Sequence, residues 1–298
     1  MTDDNKPPGF VSFTKSWHSK PYPFISPTRP ELSARGKNIV ITGGGTGIGQ
    51  ATGVAFAKAG AKSIAILGRR ADKLEASEAA ILAAVASEGT TTTTTTTTVL
   101  HETVDLLDRA QTAAAFDSIA RKVGGKIDVL VSNAGLAGDV GPMATYSAET
   151  FTKVFEANVI TALHAFQAFL PHAGPEPVLV NTSTGLAHVA PWAGSGAYPT
   201  AKAAALKMTD YIAAENPQVR VVSVHPGWIP TDFNAYQKEA PDSIELPASF
   251  IVWVVSPEGA FLKSKYVWAN WDARELLERA EEIKGSRVLT WALEGVPM

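Results

Sequence analysis

From residue 37 onward, short apolar runs alternate along the chain with longer segments that are apolar on one side only. The short runs have the length and composition of strands that are covered on both faces, as in parallel sheets. We place these strands at residues 38–42, 63–67, 99–105, 127–131, 177–182, 219–224 and 265–269. Strands that alternate with helices in this way predict βαβ units, and therefore an α/β fold with a parallel sheet.

The segments between these strands repeat with helical period, and several carry residues that begin or end helices. Asp108 and Ser147 are suited to cap helix N-termini, and Gly124 is suited to follow a helix C-terminus. Asp272-x-x-Glu275 has the spacing of a capping box and predicts a further helix after the last sheet strand. We expect helices at residues 48–59, 71–87, 109–123, 147–170, 197–215 and 272–283, and a final strand at residues 288–291.

The chain divides into three parts. Residues 1–36 are rich in proline and aromatic residues without a clear period, and we interpret them as an N-terminal extension that packs along the main body. Residues 37–270 contain no proline- or serine-rich linker and are expected to form one domain, followed by a C-terminal extension at residues 271–298. The nine threonines at residues 90–98 predict a lengthened surface loop.

Composition narrows the class of partner. With 298 residues, a net charge of -3 and a pI near 6.1, the chain offers no basic surface for nucleic acid or an anionic membrane, so we expect a small-molecule substrate. There are no cysteines, and the six histidines show no metal-binding spacing, so we expect no metal. No apolar run reaches the roughly 18 residues of a membrane span. The N-terminus lacks a secretory signal, and we expect a cytoplasmic protein.

A glycine-rich turn lies between the first predicted strand and the first predicted helix. Glycines let backbone N–H groups approach an anion closely, and the following helix directs its positive end to the same place. The spacing Gly43-x3-Gly47-x-Gly49 differs from the common G-x-G-x-x-G fingerprint, and an ordinary flexible turn is the alternative. We interpret the turn as a pyrophosphate site formed by Gly43, Thr46, Gly47, Ile48 and Gly49.

The second strand is followed by Arg69 and Arg70, at the place where an acidic residue would accept hydrogen bonds from the ribose of NAD. A guanidinium is suited to a 2'-phosphate, and each charge-assisted hydrogen bond is worth roughly 1.5 to 3 kcal/mol. The pair therefore favours NADP(H) over NAD(H), unless the arginines lie on a solvated turn. Asp105 could accept a hydrogen bond from the adenine amino group. Asn133 could either approach the nucleotide together with Gly135 or tie neighbouring strand ends together.

Tyr198 and Lys202 are four residues apart on a predicted helix and therefore share a face. Tyrosine has a pKa of about 10, and lowering it to about 7 takes roughly 4 kcal/mol. One positive charge about 4 Å away, at an effective dielectric near 20, supplies about that amount. The pair follows a strand that ends in Asn181-Thr182-Ser183-Thr184, which strengthens its interpretation as an acid–base site.

The order and spacing of these motifs, together with Asn158 and Pro226-Gly227, resemble a short-chain dehydrogenase/reductase with a TGxxxGxG cofactor loop. The resemblance covers about residues 37–270. It implies a single doubly wound, Rossmann-type domain with seven parallel strands, and hydride transfer between NAD(P)(H) and a carbonyl or alcohol. It further implies a homodimer or homotetramer.

Carried over by position, the resemblance assigns a role to each motif. Tyr198 becomes the general acid, Lys202 lowers its pKa and holds the nicotinamide ribose, and Asn158 anchors a water of the proton relay. The substrate-orienting hydroxyl falls on Thr184 by alignment or on Ser183 by residue type, and both remain candidates. The carboxamide of the nicotinamide would be bound by the segment that contains Pro226, Gly227 and Thr231.

The substrate side carries many aromatic residues, although each of them could equally pack in the core. The candidates are His188, Trp192, Trp228, Phe233 and Tyr236. We therefore expect an NADP(H)-dependent reductase of a ketone or aldehyde on a moderately large apolar or aromatic substrate, or the reverse oxidation. The alternatives are an NADP-binding sensor or scaffold without redox activity, and an epimerase or dehydratase that uses the same site.

Overall fold

The computed structural model of the protein describes residues 12–87, 97–234 and 240–292, so most of the threonine run lies outside the described residues. Seven strands form one parallel sheet in the order β3-β2-β1-β4-β5-β6-β7. Each predicted sheet strand is present with ends shifted by a few residues. The strands are β1 Asn38–Thr42, β2 Ser63–Gly68, β3 Thr98–Thr103, β4 Ile127–Ser132, β5 Ala173–Thr182, β6 Arg220–His225 and β7 Lys265–Trp268.

Helices cover both faces of this sheet, which makes it a single, doubly wound α/β domain. Alternate residues of a strand point to opposite faces, so Ile39 and Ile41 of β1 pack in one core and Val40 in the other. The first core contains Phe56, Ile81 and Trp253 and the second contains Phe116, Phe169 and Ile212, each from a different helix. The helices are α1 Gly47–Lys58, α2 Ala71–Ser87, α3 Arg109–Val123, α4 Ala148–Phe155, α5 Thr161–Phe169, α6 Ala197–Glu215, α7 Glu245–Val255, α8 Ala273–Glu278 and α9 Ala280–Lys284.

The helix N-termini that were predicted from a capping side chain in the sequence are confirmed. Asp108 accepts hydrogen bonds from the first backbone N–H groups of α3, and Gly124 ends that helix with a left-handed φ of 67°. Ser147 caps α4, and Asp272 caps α8. The long helix predicted from Ser147 is interrupted by a π-helical turn at Glu156–Ile160, which separates α4 from α5.

Two further differences have physical causes. Helix α7 was not predicted because its residues are buried on all sides, so its sequence lacks the polar stripe of an amphipathic helix. The strand predicted at residues 288–291 is wrong, since Leu289 has a left-handed φ of 60° that is incompatible with an extended run. Leu289 instead accepts a hydrogen bond from the Tyr266 N–H through its carbonyl.

Candidate active site

The carboxyl ends of the central strands open into one elongated cleft of about 940 Å³. At one end the lining consists of the glycine turn and the residues that follow β2. At the other end it contains Thr184, Tyr198 and Lys202, together with several tryptophans. In open parallel sheets, ligands bind in this position, outside the carboxyl ends of the strands. The sequence motifs for a nucleotide and for acid–base chemistry therefore line the same cavity.

The glycine turn is packed so closely that side chains are excluded from it. A Cβ added to Gly49 would lie 2.3 Å from the Gly43 carbonyl oxygen, and Gly43 itself has a φ of 64°. Thr46 is the N-cap residue of α1, but its hydroxyl makes no capping hydrogen bond within the described part of the chain. The backbone N–H groups at the start of α1 thus face the cleft without a side-chain cap. This arrangement fits a phosphate or pyrophosphate group.

The residues placed near the adenosine end by the sequence also line the cleft. Arg69 and Arg70 are exposed at its rim directly after β2, and Lys73 adds a third cation at the start of α2. Asp105 lies beyond the end of β3, where its carboxylate accepts a hydrogen bond from the Leu107 N–H at 3.0 Å. The rim is therefore rich in groups that bind anions.

Asn133 ties the ends of two central strands together. Its side-chain amide donates to the Thr42 carbonyl at 3.2 Å, and the Thr42 hydroxyl accepts from the Asn133 N–H at 2.9 Å. Of the two roles considered for Asn133, its side chain has the connecting one. Gly135 follows and leaves room for its neighbours, because a Cβ there would lie 2.5 Å from Asn158 Oδ1 and 3.6 Å from Lys202 Nζ.

Asn158 occupies the π-helical turn between α4 and α5. Its amide donates to the carbonyls of Val154 and Leu136, both at 2.8 Å, while its Oδ1 has no donor among the described residues. The side chain is 1% exposed. Single π turns are frequent at functional sites. Here the turn aims an unsatisfied acceptor at the space in front of Lys202 Nζ.

Tyr198 and Lys202 project from the first turns of α6 into this end of the cleft. Burial raises the pKa of the Tyr198 phenol above its ordinary value, and the Thr184 hydroxyl opposes this rise through a hydrogen bond. Lys202 donates to the Thr182 carbonyl at 2.8 Å, and burial lowers the pKa of its ammonium to about 8. Lys202 Nζ lies 5.9 Å from the centre of the tyrosine ring.

The expectation that Lys202 brings the Tyr198 pKa down to about 7 is not met in this structure. Burial disfavours the charged form of both groups, so it raises the pKa of the phenol and lowers that of the ammonium. The phenol therefore keeps its proton, and the amine is the more easily titrated member of the pair.

The two candidate hydroxyls, which follow the end of β5, lie near different tyrosines. Thr184 lies beside the Tyr198 phenol. Ser183 lies towards Tyr266, a partly buried tyrosine whose hydroxyl is buried and whose pKa is raised by burial and by the neighbouring Tyr198. Both hydroxyls line the cleft. Thr184 is thus the hydroxyl that forms a hydrogen bond with the acid–base pair.

The segment after β6 closes over the glycine turn. Gly227 has a φ of 101°, and a Cβ there would lie 2.6 Å from the Asp242 carboxylate. Asp242 accepts a hydrogen bond from the Trp228 N–H at 2.7 Å and holds this turn in place. Thr231 packs against Gly47, because a Cβ added to Gly47 would lie 3.6 Å from the Thr231 side chain. Pro226 lines the cleft beside them.

The predicted substrate residues separate into three groups. Trp192, Trp228 and Phe233 line the cleft, and Phe233 lies edge-on to Tyr198 with ring centres 5.2 Å apart. His188 is not part of the described lining, and its Nε2 accepts a hydrogen bond from the Trp268 indole at 3.0 Å. Tyr236 lies outside the described residues.

Several lining residues were not identified from the sequence. They come from the N-terminal extension, from β6 and the segment after it, and from β7 and the segment after it, and no local motif marks them. His225 is half-buried, desolvation lowers its pKa to about 3, and its unprotonated Nδ1 accepts a hydrogen bond from the Gly185 N–H at 3.0 Å. The missed residues include Trp17, His225, Asp242, Trp268 and Asn270. In the described ranges, no helix has both the length and the apolarity to cross a bilayer.

Known proteins that resemble this chain in sequence belong to one family. The family model described as short chain dehydrogenase matches residues 37–242. The chain is 35% identical over 284 residues to the short chain dehydrogenase mpl6 of Monascus purpureus, covering 92% of this chain and 94% of that protein. It is 32% identical to the short chain dehydrogenase/reductase AacuD of Aspergillus aculeatus, with the same two shares.

Solved structures show the same fold. A short-chain type dehydrogenase/reductase from Mycobacterium ulcerans superposes with a TM-score of 0.72 at 25% identity, covering 82% of this chain and 91% of that one. A short chain dehydrogenase from Pseudomonas syringae superposes with a TM-score of 0.71 at 24% identity, covering 81% and 97%. The fungal relatives match over more of this chain than these bacterial structures do.

Proposed function

The chain belongs to the short-chain dehydrogenase/reductase family of oxidoreductases, and we propose that it uses NADP(H) to reduce a ketone or aldehyde, or to oxidise the corresponding alcohol. The substrate is a moderately large apolar or aromatic molecule. The observation that carries this proposal is that Tyr198, Lys202 and Thr184 line one end of a cleft whose other end is a glycine cradle, with the buried Asn158 next to Gly135 of the same lining.

In the reduction, the carbonyl carbon gains a hydride and the carbonyl oxygen gains a proton, which gives an alcohol. NADPH supplies the hydride when it is bound. The proton comes from the Tyr198 phenol, and the hydrogen bond from Thr184, which lowers the pKa of that phenol, favours its release. Thr184 lies beside this phenol and orients the substrate oxygen towards it. The ammonium of Lys202, four residues along the same helix face, stabilises the phenolate that remains.

Lys202 and Asn158 return the proton to Tyr198. With a pKa of about 8, Lys202 gives up and regains a proton close to neutral pH. Its position is fixed by the hydrogen bond to the Thr182 carbonyl. The free Oδ1 of Asn158 anchors a water between the lysine and the solvent-accessible part of the cleft.

The preference for NADP(H) rests on Arg69 and Arg70. Both guanidinium groups are exposed at the cleft rim, so they are accessible to a 2'-phosphate. Lys73 adds to the positive potential at the same place.

The decisive experiment measures oxidation of NADPH by the purified protein with a panel of aromatic and cyclic ketones. We expect turnover of at least one aromatic ketone, with NADPH preferred over NADH. A tight NADPH complex without turnover across the panel would instead support the sensor or scaffold. Product without net NADPH consumption would support an epimerase or dehydratase.

We also propose the homodimer or homotetramer that the resemblance implies, and a cytoplasmic location. Light scattering coupled to size-exclusion chromatography measures the assembly, and a monomer would contradict the first proposal. Fractionation of expressing cells tests the second.

A further inference from the structure

The N-terminal extension is joined to the segment after β7 by backbone and side-chain contacts. Trp17 forms an antiparallel bridge with Trp271. The His18 N–H donates to the Asn270 carbonyl at 2.8 Å, and the Asn270 side-chain amide donates back to the His18 carbonyl at 2.9 Å. Two ends of the chain that are about 250 residues apart therefore form one unit.

Charged groups hold this unit in place. The Glu275 carboxylate accepts hydrogen bonds from the N–H groups of Lys15 and Ser16, at 2.6 and 2.9 Å. His18 contacts the Asp272 carboxylate at 2.8 Å. The Arg279 guanidinium lies 3.7 Å from the centre of the Phe13 ring. The extension is fixed on both sides of Trp17, so the position of that indole is well defined.

Trp17 reaches the reacting end of the cleft. Its ring lies edge-on to that of Trp268 with centres 6.0 Å apart, and both rings line the cavity. Trp268 in turn covers Gly185, where an added Cβ would lie 2.9 Å from the Trp268 ring. Because Gly185 directly follows Thr184, the two indoles form a wall next to the hydroxyl that lies beside Tyr198.

Asn270 supplies a polar group at the same wall. It is 1% exposed and lines the cleft. Its amide nitrogen is committed to the His18 carbonyl, whereas its Oδ1 meets no donor within the described ranges. A buried acceptor without a donor costs free energy, and a ligand hydroxyl placed there would remove that cost.

On the basis of the proposed function, we propose that Trp17, Trp268 and Asn270 form the substrate subsite, and that this subsite selects a planar aromatic carbonyl compound bearing a hydroxyl group. The indoles contact the face or edge of the substrate ring, as aromatic pairs prefer. Asn270 Oδ1 accepts the hydrogen bond from the ring hydroxyl. The N-terminal extension is thus part of the substrate site.

The ring contact is tested with Trp17→Phe and Trp17→Leu, which both keep apolar bulk while only the first keeps an aromatic ring. KM is measured for a bicyclic aromatic ketone and for an aliphatic cyclic ketone of similar size. We expect Trp17→Leu to raise KM for the aromatic ketone roughly two- to tenfold with little change in kcat, and Trp17→Phe to keep the aromatic preference. Equal effects of Trp17→Leu on both ketones would overturn the ring contact.

Phe13→Leu is the matched control, because Phe13 lies on the same extension but outside the described lining of the cleft. It should leave KM for both ketones unchanged. If it reproduced the selective rise in KM, the effect would come from the packing of the extension, and the role of Trp17 would be refuted.

The polar contact is tested with a hydroxyaryl ketone and its methyl ether. The wild-type protein should prefer the hydroxyl compound by roughly two- to tenfold in KM, the range of one neutral hydrogen bond. Asn270→Leu removes the acceptor and should abolish this preference. Asn270→Asp keeps an acceptor while it also loses the donor to His18, and it should retain the preference. Loss of the preference in both variants, or in neither, would overturn the role of Oδ1.

A binding measurement separates this inference from the proposed function. The alcohol product should raise the melting temperature of the wild-type protein more than that of Trp17→Leu, irrespective of turnover. Failure of the wild-type protein to oxidise NADPH with any ketone would refute the proposed function alone. Turnover of ketones with equal product-induced stabilisation of both proteins would refute the subsite alone.

Discussion

The two ends of the cleft are built in different ways. The nucleotide end consists of backbone groups and of arginines that follow directly from β1 and β2, so a few neighbouring residues specify it. The reacting end combines side chains from β5, the π turn, α6, the segment after β7 and the N-terminal extension. A backbone cradle can be encoded locally, whereas a side-chain site depends on packing between distant segments.

Tyr198→Phe tests the reacting end and should have the largest effect. Removing a positioned general acid lowers kcat by about 10² to 10⁴-fold. The rise in melting temperature on adding NADPH should remain, because the glycine cradle is untouched. Tyr211→Phe is the control on the same helix, since Tyr211 is 60% exposed. Wild-type kcat in Tyr198→Phe would contradict the assignment of the acid.

Gly49→Ala tests the nucleotide end. The new Cβ would meet the Gly43 carbonyl oxygen at 2.3 Å, so the turn must shift. We expect a loss of about 1 to 3 kcal/mol in the free energy of unfolding, as for other overpacked sites, together with loss of NADPH binding. Gly125→Ala is the control, because nothing lies within 4 Å of its added Cβ. Denaturant unfolding and calorimetric titration measure the two effects, and unchanged NADPH affinity in Gly49→Ala would refute the cradle.

Arg69→Ala and Arg70→Ala sharpen the identity of the nucleotide. Each should weaken NADPH binding by about ten- to a hundredfold, the range of one charge-assisted hydrogen bond, and leave NADH binding nearly unchanged. Arg121→Ala, at the exposed end of α3, is the control for loss of a positive charge. Equal losses for NADPH and NADH would show that the arginines do not read the 2'-phosphate.

Lys202→Met tests the lowered pKa of this lysine through the pH dependence of stability. Because burial lowers the folded-state pKa of Lys202 to about 8, the unfolded chain binds more protons between that pH and about 10.5. The free energy of unfolding of the wild-type protein should therefore rise with pH in this window relative to Lys202→Met. Urea unfolding at several pH values measures the difference. Parallel pH profiles would contradict the lowered pKa.

The difference between the two ends of the cleft also explains which features could be predicted from the sequence. The sheet strands followed from short apolar runs, and the glycine cradle and the Tyr198–Lys202 pair followed from local spacing. Helix α7 was not predicted, because a helix that is buried on all sides has no polar stripe. Trp17 and Asn270 were not assigned to the cleft, because nothing in their neighbouring residues indicates that the two ends of the chain meet.

The pKa shifts of Tyr198 and Lys202 could not be predicted from the spacing of these residues either. The sequence gives the separation of Tyr198 and Lys202 along a helix but does not give their depth below the surface. Burial reverses the expected direction of the Tyr198 pKa and lowers that of Lys202. The partners of Ser183 and Thr184 likewise required the structure, in which Thr184 lies beside Tyr198 and Ser183 beside Tyr266.

The central claim is that a hydride passes between the nicotinamide and a substrate carbonyl carbon at the end of the cleft that holds Tyr198. It is tested most directly by reducing an aromatic ketone with NADPH deuterated at C4 and analysing the product by mass spectrometry. The account predicts an alcohol that carries a single deuterium at the carbinol carbon. A product without deuterium from either C4-labelled stereoisomer of NADPH would contradict it.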